Sequence, residues 1–286
     1  MNSPAPVIPR PAATVIVLRE HAGAIEVLLT LRHSNMAFMG GQWVFPGGSV
    51  AASDASEAAM ALVNRRDGFT CHRLRTLRGE ALPERQCLAL AIAACRETFE
   101  ETGVLLASHV DGRPCDERAL RRAQEQRAQI TTQSTLFLDV LAQEQLQLDL
   151  GRLVYWAHWI TPEPLPRRFD THFFTVAAPA SHEVTADAGE TAEYRWQTPA
   201  ALIAAAEQQD MPISNPTLWN LRDLRASISK HGSLDALLLA EATRHVRSIL
   251  PKTYQENGRA VLVMPWDEMY TKLPGEGIAL PIGATE

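Results

Sequence analysis

Three glutamates, Glu97, Glu100 and Glu101, stand within five positions of one another in the stretch CRETFEETG (95–103). The surroundings favour a helix: Pro83 suits a first helical position, and Gly103 suits the left-handed residue that ends one. Wound as a helix, 83–102 places Leu88, Ile92, Cys95 and Phe99 on one stripe and the three glutamates opposite, beside Ala93 and Ala94. The apolar stripe is expected to pack on a sheet. Like charges at this spacing repel by about 0.2–0.5 kcal/mol per pair. The acidic stripe is therefore either a solvated face or a set of oxygen ligands converging on a divalent cation. Magnesium favours carboxylates together with waters and substrate phosphates. The small alanines leave room for a ligand, and QWVFPGG (42–48) upstream reads as a strand ending in a Pro-Gly-Gly turn. Together they make the helix a candidate metal–phosphate site.

The rest of the chain reads as alternating strands and helices. AATVIVL (12–18) and IEVLLTLR (25–32) form two strands about a turn at Gly23. Residues 49–82 combine an alanine-rich helical stretch with a basic irregular piece. Helices are expected over 116–129 and 133–147, strands over 153–161, 170–177 and 193–198, and a further helix from Pro199. Beyond 211 the pattern gives helices near 216–229 and 233–249, then a strand, AVLVMP.

The 286-residue chain is 46% hydrophobic and 21% charged, values of a globular protein long enough for a sizeable core. Its net charge of −6 argues against nucleic-acid and anionic-membrane partners, because nothing supplies the phosphate-neutralising cations. The longest apolar run, LALAIAAC (88–95), is far short of a membrane span, and the N-terminus lacks the pattern of a signal peptide. Cys71, Cys87, Cys95 and Cys115 show no metal-binding spacing and read as reduced structural thiols. A soluble, cytoplasmic protein is expected.

The stretch RETFEETGV (96–104) resembles the second half of the Nudix box, G-x5-E-x7-R-E-U-x-E-E-x-G-U, where U is a bulky aliphatic residue. Arg96, Glu97, Glu100, Glu101 and Gly103 match, Thr98 stands at the first U, Val104 fits the second, and Gly48 matches the leading glycine. Gly48 and Arg96 are 48 positions apart where the motif allows 14, so about 34 extra residues interrupt it. Counting back from Arg96 puts Leu88 at the place of the first glutamate, with Asp54, Glu57, Glu80 and Glu84 as candidate replacements.

The resemblance implies an α/β (α+β) Nudix fold, an α/β/α sandwich around a mixed sheet. The Nudix domain is expected over 1–210, with an insertion at 49–82 and a helical insertion at 111–150. A mainly helical C-terminal extension at 211–286 is expected to pack as a cap, with a homodimer as a candidate assembly. The resemblance further implies hydrolysis of a nucleoside diphosphate linked to another group, with Glu97, Glu100 and Glu101 binding Mg²⁺ or Mn²⁺. Arg96 would orient a glutamate through a charge-assisted bond. With Glu101 it counts among the catalytic residues, together with a general base outside the box. Glu190, six positions before Trp196, is preferred as that base over Glu193.

LLTLRHSNMAFMGGQWVFPGG (28–48) is similar to the signature of coenzyme A diphosphatases, LLT-x-R followed by G-x3-F-P-G-G. The long insertion and RRFDTHFF resemble the peroxisomal mammalian Nudix subgroup that acts on coenzyme A esters. CoA or acyl-CoA is the expected substrate, with Gly47 and Gly48 bordering it. Arg32, Arg167 and Arg168 are candidates for its phosphates, against a reading as surface cations. Phe38 would line a pantetheine or acyl channel or pack in the core. The competing readings are a Nudix pyrophosphatase for ADP-ribose or NADH, and a catalytically silent nucleotide sensor.

Overall fold

The computed structural model describes residues 7–36, 38–64, 69, 71–180, 182–185 and 191–276. Strands β1 (Arg10–His21) and β2 (Ala24–Arg32) each carry a continuous apolar, buried run and form an antiparallel hairpin. Its turn places Ala22 at φ 48° and Gly23 at φ 79°, the double left-handed conformation that matches strand twist. β3 (Trp43–Val44) pairs with β2, and β4 (Gly47–Ser49) pairs with the start of β1. The first insertion carries a 3-10 turn, Ala52–Ala55, and the short helix α1 (Glu57–Ala61), capped by the Ser56 hydroxyl.

Helix α2 (Glu84–Thr102) follows, preceded by Pro83 and ended by Gly103 at φ 74°, whose N–H reaches the Phe99 carbonyl at 2.8 Å. β5 (Ala107–His109) and β6 (Leu146–Leu148) pair to flank the helices α3 (Glu117–Thr132) and α4 (Thr135–Gln143). β7 (Val154–Ile160) is antiparallel to β8 (Phe169–Ala177), which runs parallel to β1. β9 (Thr191–Gln197) returns to β2, and α5 (Pro199–Glu207) follows with proline in its first turn.

The segment beyond 211 supplies α6 (Asn215–Ile228), α7 (Leu234–Glu241), β10 (Ser248–Ile249) and a hairpin of β11 (Lys252–Glu256) with β12 (Arg259–Val263). β10 adds to the main sheet beside β7. That sheet has the order β10-β7-β8-β1-β2-β3, with β4 on β1 and β9 on β2. It is mixed, and helices cover both faces as expected for the α/β/α sandwich. Side chains alternating along each strand feed two cores. Ala13, Val15, Val17 and Leu28 meet α2, α3 and α4. Ile16, Leu18, Val27 and Leu29 meet α5, α6 and α7 through Leu202, Leu221, Leu224 and Leu237. Among the described residues no helix is long and apolar enough to cross a membrane.

Candidate active site

Helix α2 lies on β1 and β4, and its middle is buried on every side, from Cys87 to Cys95. Ala89, Ala91, Ala93 and Ala94 are small enough for the sheet and the insertion helices to close on it together. The last two turns carry the acids, and the solvated-face reading does not hold. Glu100 is 7% exposed and Glu101 4%. Thr98, at the aliphatic position of the box, is buried and gives its hydroxyl to the Ala94 carbonyl at 2.7 Å, so a polar residue there leaves no unmet group.

Arg96 organises the cluster. Its Nε and Nη2 donate to the two carboxylate oxygens of Asp54, both at 2.9 Å, in the paired geometry that suits a guanidinium. Nη1 reaches Glu97 at 2.9 Å and Glu100 at 3.0 Å, and Nη2 also donates to the Ser49 carbonyl at 3.0 Å. Burial alone would depress the guanidinium's pKa, but hydrogen bonding to Asp54 and the charges of Glu97, Asp54 and Glu100 outweigh it and raise the pKa. Glu100 is pushed up to about 7, first by burial and then by Glu97, against the pull of Arg96.

Of the four acids offered in place of the first box glutamate, Asp54 is the one at the site. It is fully buried and also accepts the Ala51 N–H at 2.7 Å. Glu57 pairs with the exposed Arg85, and Glu80 and Glu84 are exposed. Counting forward from Gly48 reveals what counting back from Arg96 concealed. Asp54 follows Gly48 after five intervening residues, the motif's own interval, and the insertion falls between Asp54 and Arg96.

The Pro-Gly-Gly turn closes the other side. A Cβ on Gly48 would lie 2.5 Å from the Glu97 carboxylate carbon, and one on Gly47 would lie 2.4 Å from the Ala13 carbonyl oxygen. Only glycines let β4 run this close to both α2 and β1. The Gly47 N–H faces Glu101 Oε2 at 3.3 Å, and Arg32 Nη1 stands 3.7 Å from Glu101 Oε1. Arg32 Nε is buried and has no hydrogen-bond partner among the described residues.

The remaining sequence candidates separate. Phe38 packs at a tilt against Phe169 at the start of β8, with ring centroids 4.9 Å apart. Arg167 is exposed in the loop between β7 and β8. Arg168 must be corrected: it is buried, and its guanidinium donates to the carbonyls of Thr161 at 3.0 Å and Val7 at 2.7 Å. It fastens that loop and the start of β1 rather than presenting a free cation. Glu193 is exposed and pairs with Arg195 at 3.1 Å. It stands opposite Leu31, whose face belongs to the second core, so it points away from the α2 acids. Glu190 lies outside the described residues.

Comparison with known proteins agrees with this geometry. The model of the NUDT19 Nudix domain matches residues 7–224. An acyl-coenzyme A diphosphatase NUDT19 of Xenopus laevis is 25% identical over 279 residues, covering 87% of this chain and 72% of the relative. The protein of the same name from Homo sapiens is 26% identical over 277 residues, covering 87% and 73%. A crystal structure of a Nudix hydrolase from Alicyclobacillus acidocaldarius superposes with a TM-score of 0.66 at 26% identity, covering 81% of this chain and 96% of that one. With the box acids on the last two turns of α2, the glycine turn against them and a family match over most of its length, the chain belongs to the Nudix hydrolases, in the NUDT19 Nudix domain family.

Proposed function

We propose that the protein is a metal-dependent diphosphatase that cleaves coenzyme A or an acyl-CoA into 3′,5′-ADP and (acyl-)4′-phosphopantetheine. The observation that carries the reading is the convergence of Glu97 and Glu101 on the Gly47–Gly48 turn, with Arg96 bridging Glu97 and Glu100 and Arg32 beside Glu101. A hard divalent ion fits this donor set, since three carboxylates crowd together and burial with Glu97 drives Glu100 up to about 7. Glu97, Glu100 and Glu101 would hold Mg²⁺ or Mn²⁺. When bound, such an ion neutralises the crowded phosphate oxygens and lowers the pKa of its water.

The chain's own residues supply the rest. Arg96, anchored by Asp54, fixes the directions of Glu97 and Glu100. Glu190 is the proposed base that takes a proton from the attacking water. Its sequence neighbour Thr191 pairs with Arg32, which supports the assignment. The water oxygen bonds to one phosphorus as the bridging P–O bond breaks, leaving one phosphate on each product. Arg32, with a buried Nε that lacks a protein partner, is the proposed phosphate contact. Phe38 on Phe169 is the proposed apolar wall for the pantetheine or acyl arm. The four cysteines are free, in keeping with the reducing cytoplasm.

The substrate assignment rests on the LLT-x-R and G-x3-F-P-G-G match and on the acyl-coenzyme A diphosphatase relatives. It is tested by side-by-side kinetics on CoA, an acyl-CoA, dephospho-CoA, ADP-ribose and NADH with Mg²⁺ or Mn²⁺. The CoA species should have the highest kcat/KM. Higher values for ADP-ribose or NADH would exclude the CoA assignment, and no turnover of any of them would favour a silent sensor.

A further inference from the structure

A second cluster of metal-ligating side chains lies outside the box. His158 on β7 and Asp170 and His172 on β8 each offer one ligand atom, and these atoms lie within 4.8 Å of one another. Ala13 is the register partner of both His172 and Gly48, so the cluster and the glycine turn sit on strands either side of β1. Its side chains share the α2 face of the sheet with Ala13. Nothing in the diphosphatase reading uses them.

The cluster is built in the manner of a metal centre. The two imidazoles stack with centroids 4.1 Å apart, and both turn Nε2 toward the Asp170 carboxylate. His158 Nε2 contacts Asp170 Oδ1 directly, and His172 Nε2 is 3.8 Å from it. The opposite ring nitrogens are each held by a hydroxyl: His158 Nδ1 by Ser248 Oγ at 2.7 Å, and His172 Nδ1 by Tyr155 at 2.9 Å. The Ser248 hydroxyl has the Thr76 carbonyl as an acceptor at 3.5 Å, which leaves its oxygen to accept from His158 Nδ1–H. With that tautomer, the lone pair of Nε2 faces a carboxylate oxygen, and a proton or a cation must lie between them. Outer partners that fix the tautomer and aim the rings are the usual second layer of a histidine metal site. Both histidines are buried, while the Asp170 side chain keeps 34% of its exposure, which gives an ion a path from solvent.

We propose that His158, Asp170 and His172 bind a divalent first-row transition ion of the zinc class, separate from the ions of the Nudix box. Two imidazoles and one carboxylate suit Zn²⁺, Co²⁺ or Fe²⁺ and disfavour Mg²⁺. Three protein ligands leave a position for water. Because Ser248 belongs to β10, an ion here also ties the C-terminal strand to β7 and β8.

The test is stoichiometric binding of Zn²⁺ and Co²⁺ to metal-stripped full-length protein, read by calorimetry and by the visible absorption of bound Co²⁺. Three variants are compared with the unaltered protein: the double variant Glu100→Gln, Glu101→Gln, then His158→Gln, and Asp170→Asn. Asp170→Asn keeps the size of a part-exposed side chain, so it covers the case in which the histidine variant does not fold. One tight equivalent should persist in the double box variant. Asp170→Asn should weaken it by about 100-fold or more and abolish the Co²⁺ imidazole spectrum. Two results would overturn the proposal: no transition-ion binding beyond what the box variant loses, as for a network held by a proton alone, or binding unchanged in Asp170→Asn.

Discussion

At the scale of single residues, the candidate site depends on one buried guanidinium and its four oxygen-bearing neighbours. Arg96 and Asp54 are both hidden from water, and removing one partner of such a pair strands the other. Asp54→Ala should therefore cost about 3–5 kcal/mol of stability, measurable by denaturant unfolding. Asp54→Asn keeps the shape and loses the charge. It is expected to weaken activity or Mn²⁺ dependence by about 10–100-fold with the fold retained, as for an outer residue that aims metal ligands. An unchanged Mn²⁺ dependence would remove Asp54 from the positioning role. Gly48→Ala should fail more simply, because its methyl would overlap the Glu97 carboxylate. Its stability should hold better than its turnover, as turnover and melting measured together would reveal. The match of Arg96 and the glutamates was legible in the sequence. The partnership with Asp54 was only half legible, since 41 residues, about 34 of them insertion, separate two groups that fold to 2.9 Å.

At the scale of elements, the bounds of α2 follow from Pro83 and Gly103 and were readable in advance. Its burial was not, because the covering helices α3 and α4 come from a polar-looking insertion. Arg127 of α3 shows why: it is buried, and donates to the Glu100 carbonyl at 2.9 Å, Thr185 Oγ1 at 2.6 Å and the Thr185 carbonyl at 2.7 Å. A cation at a helix C-terminus also answers its dipole. Arg127→Met should lower stability by about 2–3 kcal/mol, read as a shift in the urea midpoint. His182 gives the same region a pH dependence. Its Nδ1 accepts the Leu105 N–H at 3.2 Å, and burial, aided by Arg152, lowers its pKa from 6.5 to about 4. The unfolded chain then takes a proton between these values that the folded one refuses, so stability falls as pH drops from 6.5 toward 4. His182→Gln should flatten that part of the stability–pH curve. An identical slope in the variant would show that the proton is taken up elsewhere.

At the scale of the whole molecule, the sheet needs helices on both faces, and the second face is covered largely by the segment beyond 211. Leu221, Leu224, Leu234 and Leu237 pack there with Leu18, Leu29, Trp156 and Phe173. Four buried leucines contribute on the order of 10 kcal/mol, as much as the net stability of an ordinary domain. A chain ending at residue 210 should therefore be insoluble or molten. A truncated protein with a sharp unfolding transition would contradict this. The sequence showed these helices as elements, but the face they cover is fixed only by strand order, which brings β10 beside β7. In the proposed activity, the acids ending α2 hold the divalent ion with which the diphosphate is cleaved. The most direct measurement is turnover of CoA across a Mg²⁺ titration by the unaltered protein and by Glu101→Gln, with the products identified by mass. Mg²⁺-dependent release of 3′,5′-ADP and 4′-phosphopantetheine is expected, with turnover lower by orders of magnitude in a variant that still folds. Wild-type turnover by Glu101→Gln at limiting Mg²⁺ would contradict it.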